Sequence, residues 1–402
     1  MLLGIDVLLQ DQSLQSELTG KKLALLAHPA SQVSSQTEKF FHSLDALMHS
    51  QLRIVSAFGP QHGMRGDKQD NMVESEDYID PVHGIAVFSL YGKVRRLTPS
   101  MLETFDVLLI DLQDVGTRVY TFLTTLLYLL EDCSSQKTVW ILDRPNPAGR
   151  PVEGSLLEPE YTSFVGCSRF PMRHGLTLGE AARWFQKNHH LDVDLKVIPM
   201  QEYTTGSPGW GWPLGTLPWI NPSPNIATLS ATRCYPGTVM LEGTTLSEGR
   251  GTTRPLEMVG APNLDTLLLL KTMQRLAPSW IRGCKLRPCY FLPTFQKHTG
   301  FVCSGFQMHV DDLNYQHLLF KPYRLIALYL KSIRMTYPDY PLWRDFHYEY
   351  ETDRLAIDLI TGSTFLRNWV DEPHASIEDF EKKQIKDEIA WEETRKEFLL
   401  YP

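Results

Sequence analysis

Residues 52–67 read LRIVSAFGPQHGMRGD, and this stretch indicates the fold of the 402-residue chain. Its first part, from Leu52 to Phe58, is mostly apolar and predicts a buried strand. Its second part is a loop in which glycines and a proline surround Gln, His, Arg and Asp. Glycine lets the backbone approach a ligand closely, and ligands bind at the carboxyl ends of α/β strands. The stretch therefore predicts either a ligand-binding loop or an ordinary turn with a solvated His and Arg.

Short apolar runs of the same kind recur through the first half of the chain. Helix-length segments lie between them or follow them, including 122–130, which is apolar nearly all round, and 179–188, which Thr177 can cap. This alternation predicts an α/β fold with a Rossmann-like parallel sheet covered on both faces. The five predicted strands are Leu23–Ala27, Leu52–Phe58, Ile85–Leu90, Val107–Leu112 and Thr138–Asp143. Because the polar residues cluster after these strands, we expect them to converge at one edge of the sheet.

The pattern of apolar and polar residues changes after about residue 262. We therefore predict two domains: a Rossmann-like domain over 1–262 and a smaller α+β domain over 263–402. In the second domain, residues 264–276 and 315–335 indicate helices, and 291–309 indicates strands. The tail 377–400 predicts an amphipathic helix, packed through Phe380, Ile385, Ile389, Trp391 and Phe398.

Composition excludes several classes of protein. The formal net charge is -8 and no basic patch stands out, so we expect no nucleic-acid partner. No apolar run is long enough to span a bilayer and no secretory signal is visible, which predicts a cytoplasmic protein without a membrane partner. The six cysteines are scattered without a CxxC pair, so neither a metal site nor a disulfide framework is expected. The chain has no G-x-G-x-x-G or Walker A loop, and we expect no cofactor. Its oligomeric state stays open.

A segment rich in Gly, Pro and Trp, residues 204–225, has two equal interpretations. Its Trp210, Trp212 and Trp219 either stack on sugar rings or fill a domain junction.

Five segments together resemble one family, the exo-β-N-acetylmuramidases, glycoside hydrolases formerly known as a domain of unknown function. The resemblance implies a Rossmann-like domain and a smaller C-terminal domain that closes a cleft holding the active site. It also implies release of N-acetylmuramic acid from the non-reducing end of peptidoglycan fragments. The segments are GPQHGMRGD (59–67), DLQDVGTRVYT (111–121), ILDRPNPAGRPVEG (141–154), PSPN (222–225) and LEGTTLSEGRGTTRP (241–255).

The chain departs from the family pattern at one catalytic candidate. Where the family has Pro-Glu-His-Gly, this chain has Gln61 in place of the glutamate. Glycoside hydrolysis normally uses two carboxyl groups, and a glutamine cannot exchange a proton near neutral pH. Three readings follow. The substrate's acetamido group is the nucleophile with Gln61 or a neighbour orienting it, Glu74 or Glu76 supplies the missing carboxyl, or the chain binds sugar without hydrolysing it.

The catalytic candidates are Glu153, Gln61 and His62. Glu153 follows the loop of the fifth strand and precedes a glycine, so it can reach the cleft, and the resemblance also points to it; the alternative is a surface glutamate. His62 is either a proton shuttle or a hydrogen-bonded structural group.

Arginines are the candidates for selecting muramic acid, whose lactyl carboxylate suits a planar guanidinium fork. Their alternative role is an internal salt bridge, which we expect for at least two of them. Glu248 either binds a sugar hydroxyl or transfers a proton, and Asp114 and Asp143 either contact substrate or hold loops and arginines. The predicted substrate-binding residues are Arg65, Asp114, Arg118, Asp143, Arg144, Asn225, Glu248 and Arg250.

The expected function is exo-acting hydrolysis of N-acetylmuramic acid glycosides during recycling of imported cell-wall fragments. The alternatives are a muropeptide-binding protein without turnover, which Gln61 favours, and a hydrolase of another N-acetylated amino sugar.

Overall fold

A mostly parallel sheet of seven strands forms the centre of the N-terminal half. The computed structural model of the protein describes residues 1–34, 41–50, 52–68 and 72–402. The strands are β1 (Leu23–Leu26), β2 (Ile54–Gly59), β3 (Tyr78–Ile79), β4 (Ala86–Ser89), β5 (Val107–Ile110), β6 (Thr138–Leu142) and β7 (Asp194–Ile198). Their order is β3-β4-β2-β1-β5-β6-β7, and only the β3–β4 pair is antiparallel. Without β3 this is the Rossmann order, so the predicted Rossmann-like α/β fold is confirmed.

The central strand β5 shows why these runs form a covered sheet. All four of its residues are buried, since Leu108 and Ile110 face one hydrophobic core while Val107 and Leu109 face another on the opposite side. The N-cap predicted at Thr177 is confirmed, because its hydroxyl accepts from the backbone N–H of Glu180. The helices of this half are α1 (Gly4–Gln10), α2 (Gln12–Leu18), α3 (Ser43–His49), α4 (Pro99–Leu102), α5 (Phe122–Asp132), α6 (Leu178–Asn188) and α7 (Leu229–Thr238).

A second, three-stranded antiparallel sheet belongs to the C-terminal half. Its strands β8 (Met258–Ala261), β9 (Lys285–Phe291) and β10 (Cys303–His309) lie in the order β8-β10-β9. The helices are α8 (Thr266–Leu276), α9 (Pro322–Thr336), α10 (Ala356–Thr361), α11 (Phe365–Asp371) and α12 (Ile377–Arg395). The domain boundary at residue 262 stays a prediction, although β8 precedes it and pairs within the second sheet.

The last helix, α12, packs on the body through a face that is partly polar. Phe380 and Trp391 are buried as predicted, but Ile385 and Ile389 are 44% and 59% exposed. The buried face carries Gln384 instead, whose side chain donates to the Ser155 hydroxyl at 2.8 Å. The amphipathic prediction was wrong at both isoleucines because hydrogen-bonding groups, rather than these apolar side chains, occupy the contact.

One hydrophobic core joins the two halves. It runs from Leu126 in α5 through Tyr235 in α7 to Tyr329 in α9. The loops after β2 and β5 are therefore held against the C-terminal half. Among the helices in the described part of the chain, none combines the length and the apolar character needed to cross a bilayer.

Candidate active site

A pocket of about 40 Å³ lies between the two halves of the chain, lined by the loops that follow β2 and β5. The N-terminal half contributes residues 61–62 and 119–121 to its wall. The C-terminal half contributes two glutamates, Glu242 and Glu349. The pocket lies where ligand sites of open α/β sheets are found, at the carboxyl ends of the strands.

Gln61 connects the loop after β2 to Glu349. Its Nε2 donates to Oε1 of Glu349 at 3.3 Å, while its own Oε1 accepts from the Thr121 hydroxyl at 2.7 Å. The Tyr91 hydroxyl donates to the other oxygen of Glu349 at 2.9 Å. Glu349 is thus buried and fixed by two donors while lining the pocket.

The surroundings of Glu349 raise the pKa of its carboxyl. Burial raises its pKa, and the nearby charge of Glu242 raises it further. Hydrogen bonds from Tyr91 and Gln61 and the positive charge of Arg95 act in the opposite direction but do not outweigh burial. A carboxyl with a raised pKa in a pocket suits a general acid.

The other pocket glutamate, Glu242, has a donor at each of its two carboxylate oxygens. Arg250 Nη2 lies 2.6 Å from one oxygen, and the Tyr348 hydroxyl lies 2.8 Å from the other. Arg250 also lies 3.1 Å from an oxygen of Glu248, so this predicted binding residue is ion-paired within the site. Burial opposes ionisation of Glu248, but Lys297 and Arg250 outweigh it and lower the pKa of Glu248.

Strained backbone accompanies the pocket residues. His62 and Glu349 have φ angles of 70° and 46°, in the left-handed region that side chains other than glycine rarely adopt. Such conformations persist where the surroundings impose them, and they cluster at functional sites. The Nδ1 of His62 donates to the Lys68 carbonyl at 2.9 Å, which fixes the proton on that nitrogen. His62 and Asn225 both line the pocket, where we had placed them.

Glu153 lies elsewhere, which corrects its predicted place in the cleft. Its carboxylate is buried at the start of α9 and accepts from the backbone N–H of Tyr323 at 3.2 Å and of Arg324 at 2.9 Å. Carboxylates at helix N-termini satisfy unpaired N–H groups and the helix dipole. Glu153 therefore joins the loop after β6 to the C-terminal half as a structural group.

Two of the predicted arginines are also interior groups rather than pocket residues. Arg118 donates to the carbonyls of Ser155, Phe170 and Ile360 at 2.7–2.9 Å, and burial lowers its pKa to about 10. Arg144 forms a fork with both oxygens of Asp111 at 2.5 and 2.8 Å. These guanidiniums have their partners inside the protein, so neither is placed to hold a substrate carboxylate.

The two aspartates that were predicted to bind substrate, Asp114 and Asp143, accept hydrogen bonds from groups of the protein itself. Asp143 accepts from the Thr177 hydroxyl, the Gly179 N–H and the Tyr401 hydroxyl, at 2.7, 2.8 and 2.6 Å. Burial raises its pKa to about 6. Asp114 accepts from the N–H of Gly116 at 2.7 Å and closes its own turn.

An outer pocket contains Arg65 and Trp219, beside Ser223, which also lines the central pocket. Arg65 is exposed, and its guanidinium lies 4.4 Å from the ring centre of Tyr78. Of the other tryptophans in the segment, Trp212 is buried, and the half-buried Trp210 stacks on His317. Trp219 alone among these three reaches a described pocket.

Neither pocket glutamate is among the catalytic or substrate-binding residues that the sequence predicts. Glu242 had a signal, because it stands second in the segment LEGTTLSEGRGTTRP. Glu349 had none, since it lies outside the five segments and becomes part of the site only by contact with Gln61. No cluster of three or more His, Cys, Asp and Glu side chains within the described ranges is arranged to hold a metal ion.

Comparison with known proteins agrees with this architecture. Residues 23–230 match the family described as exo-beta-N-acetylmuramidase NamZ, N-terminal, and residues 233–401 match its C-terminal counterpart. The peptidoglycan beta-N-acetylmuramidase NamZ of Bacillus subtilis (strain 168) is 37% identical over 401 residues, covering 99% of this chain and 91% of that protein. Two crystal structures of DUF1343 family proteins from Bacteroides fragilis cover 100% of this chain. One has a TM-score of 0.83 at 28% identity over 99% of its own chain, and the other 0.76 at 26% over 98%. The chain belongs to the exo-beta-N-acetylmuramidase NamZ family.

Proposed function

We propose that this protein is a glycosidase that releases N-acetylmuramic acid from the non-reducing end of peptidoglycan fragments. The observation that carries the proposal is the pair of glutamates, Glu242 and Glu349, on the wall of one pocket. Glycoside hydrolases usually use two carboxyl groups that flank the scissile bond. The substrate class comes from family membership and from the Bacillus subtilis relative, which is named a peptidoglycan beta-N-acetylmuramidase.

Glu349 is the general acid in this proposal. Its raised pKa keeps a larger share of the carboxyl protonated near neutral pH, so it can protonate the leaving sugar oxygen as the glycosidic bond breaks. Gln61 then positions the acid instead of serving as one. The carboxyl that the sequence lacks at position 61 is supplied by the C-terminal half. Glu74 and Glu76 are exposed and do not line the pocket, so neither replaces it.

Glu242 is the second carboxylate. It stabilises the positive charge that develops at the anomeric carbon, while Arg250 and Tyr348 hold its two oxygens. Three routes complete the reaction: attack by Glu242, attack by water that Glu242 activates, or attack by the substrate's acetamido group. The anomer first released separates the water route from the other two, because only direct attack by water inverts the configuration. Proton NMR of the early product reports which anomer forms.

The test is hydrolysis of two isomeric disaccharides, MurNAc-GlcNAc and GlcNAc-MurNAc, followed by mass spectrometry. We expect release of MurNAc from the first and no cleavage of the second. Cleavage of the second disaccharide alone would assign the protein to hydrolases of another N-acetylated amino sugar. The Gln61 substitution favours a second candidate, a muropeptide-binding protein; calorimetric binding of MurNAc without cleavage of either disaccharide would establish it.

The cellular role that we propose is recycling of imported cell-wall fragments in the cytoplasm. All six cysteines are free thiols, and thiols of this kind are typical of a reducing compartment. Fractionation of the native host tests this role, and recovery of the protein outside the cytoplasm would refute it.

A further inference from the structure

A second compartment, of about 230 Å³, adjoins the central pocket. The two share Glu242, Arg250 and Tyr348 in their walls. The second compartment extends beyond these residues to Lys297 and Arg344. A sugar ring held beside Glu242 in the central pocket could therefore project a substituent into this compartment.

The charges that line this compartment do not balance. Three cationic side chains, Arg250, Lys297 and Arg344, face two carboxylates, Glu242 and Glu248. Arg250 lies 2.6 Å from Glu242 and 3.1 Å from Glu248, and Lys297 lies 2.7 Å from Glu248. These contacts use both carboxylates and, among the described residues that line this compartment, leave Arg344 without a carboxylate partner.

Lys297 is committed to the protein itself. Besides its ion pair with Glu248, its ammonium donates to the carbonyls of Leu241 at 2.6 Å and Thr244 at 3.3 Å. An ammonium has three N–H donors, and three acceptors surround this one. Lys297 therefore has little capacity left for a ligand.

Arg344 is placed differently. Its guanidinium makes no hydrogen bond or ion pair with any residue in the described ranges, and it lies 3.9 Å from the ring centre of Phe346. Its backbone N–H donates to the carbonyl of Gly243 at 3.1 Å, which anchors it beside Glu242. Stacking on an aromatic ring orients a guanidinium while its N–H donors remain available for a planar anion.

Muramic acid carries the matching group. Its lactyl ether is attached two bonds along the ring from the anomeric carbon, so the carboxylate lies close to the scissile bond. We propose that Arg344 binds the lactyl carboxylate of the muramic acid residue in this second compartment. The proposal rests on the proposed function and names the residue by which the same site selects its sugar.

Binding measurements test Arg344 independently of turnover. Calorimetry compares MurNAc, its lactyl methyl ester and GlcNAc with the wild-type protein and with Arg344→Met. We expect wild type to prefer MurNAc to the ester, and Arg344→Met to weaken MurNAc binding by roughly 10- to 100-fold, the loss of a charge-assisted fork. Binding of the ester and of GlcNAc should not change. Arg344→Lys keeps the charge but loses the fork, so we expect an intermediate affinity for MurNAc.

The matched control is Arg96→Met, which removes an arginine 4.0 Å from the ring centre of Tyr128, outside the described pockets. It should leave all three affinities unchanged. Thermal melts establish that each variant is folded; if Arg344→Met is not, Arg344→Lys and the wild-type preference for MurNAc over its ester decide. Equal wild-type affinity for MurNAc and the ester, or an equal loss for all three sugars in a folded variant, would overturn the role of Arg344. Lack of disaccharide cleavage with the MurNAc preference intact would refute only the hydrolase.

Discussion

Glu349→Gln isolates the proton that this carboxyl donates. Glutamine has nearly the same shape, and its carbonyl oxygen can still accept from Gln61 Nε2, 3.3 Å from Oε1 in the present structure. The Tyr91 hydroxyl, now donating at 2.9 Å, can rotate to accept from the new amide. The fold is therefore expected to persist, and the variant should lack only the acidic proton of Glu349.

The expected loss depends on the leaving group. A positioned general acid contributes a factor of about 10²–10⁴, equivalent to about 3–5 kcal/mol of activation free energy. We expect this full loss in kcat/KM for MurNAc-GlcNAc, whose leaving oxygen needs a proton. An aryl N-acetyl-β-muramide with a good leaving group needs little protonation, so its kcat/KM should fall by less than about tenfold.

The pH dependence supplies a second readout. Because the acid works only when protonated, wild-type kcat/KM for the disaccharide should fall as pH rises through the raised pKa of Glu349. This basic limb should vanish in Glu349→Gln. Glu153→Gln is the matched control, since it alters another buried glutamate that lies outside the central pocket. Equal losses on both substrates, or an unchanged basic limb, would refute the assignment of Glu349 as the acid.

Three further predictions follow from named contacts. Gln61→Glu places a second carboxyl where the amide now lies 3.3 Å from Glu349. Repulsion between like charges raises the pKa of the pair, so the basic limb of the pH profile should move to higher pH. A limb at the wild-type position would contradict this. Glu153→Ala leaves the N–H groups of Tyr323 and Arg324 unpaired. The variant should lower the free energy of unfolding, measured in urea, by about 1–3 kcal/mol and leave kcat unchanged. A loss of kcat in the folded variant would make Glu153 a catalytic candidate again. Burial raises the pKa of Asp143 from 3.8 to about 6, so the folded state binds this proton more tightly and the free energy of unfolding should fall by up to about 3 kcal/mol as pH rises through that interval. Asp143→Asn should remove this slope in urea titrations run across the same pH range, and a slope identical to wild type would exclude Asp143 as its source.

The strands that the sequence predicted are those with buried, apolar faces. Val107–Ile110 is buried throughout and was predicted within two residues of its observed end. The edge strands were missed or misplaced. Asp194–Ile198 alternates polar and apolar residues only partly, and Lys285–Phe291 is largely exposed and contains Pro288. A proline is tolerated at a sheet edge because its missing N–H faces no partner strand, so hydrophobic pattern gives little signal there.

The residues of the candidate site were likewise predicted only in part. Gln61, His62, Asn225 and Arg250 line the central pocket, as the motifs around them indicated. The arginine expected to meet a carboxylate was sought within the motifs, and Arg344 lies outside them. Residue type indicated the chemistry, but whether an arginine is free or committed depends on its neighbours in space.

The Rossmann-like sheet, the family and the loop that carries Gln61 can all be predicted from the amino-acid sequence, because strand periodicity and motif spacing are local properties of the chain. Which carboxyl groups meet in the pocket depends on the three-dimensional packing of distant segments. Gln61 and Glu349 are 288 positions apart and become neighbours because a shared hydrophobic core presses the C-terminal half against the loops of the sheet. The same packing buried Glu153 at the start of α9, since an N-terminal helix turn with unpaired N–H groups needed an acceptor there.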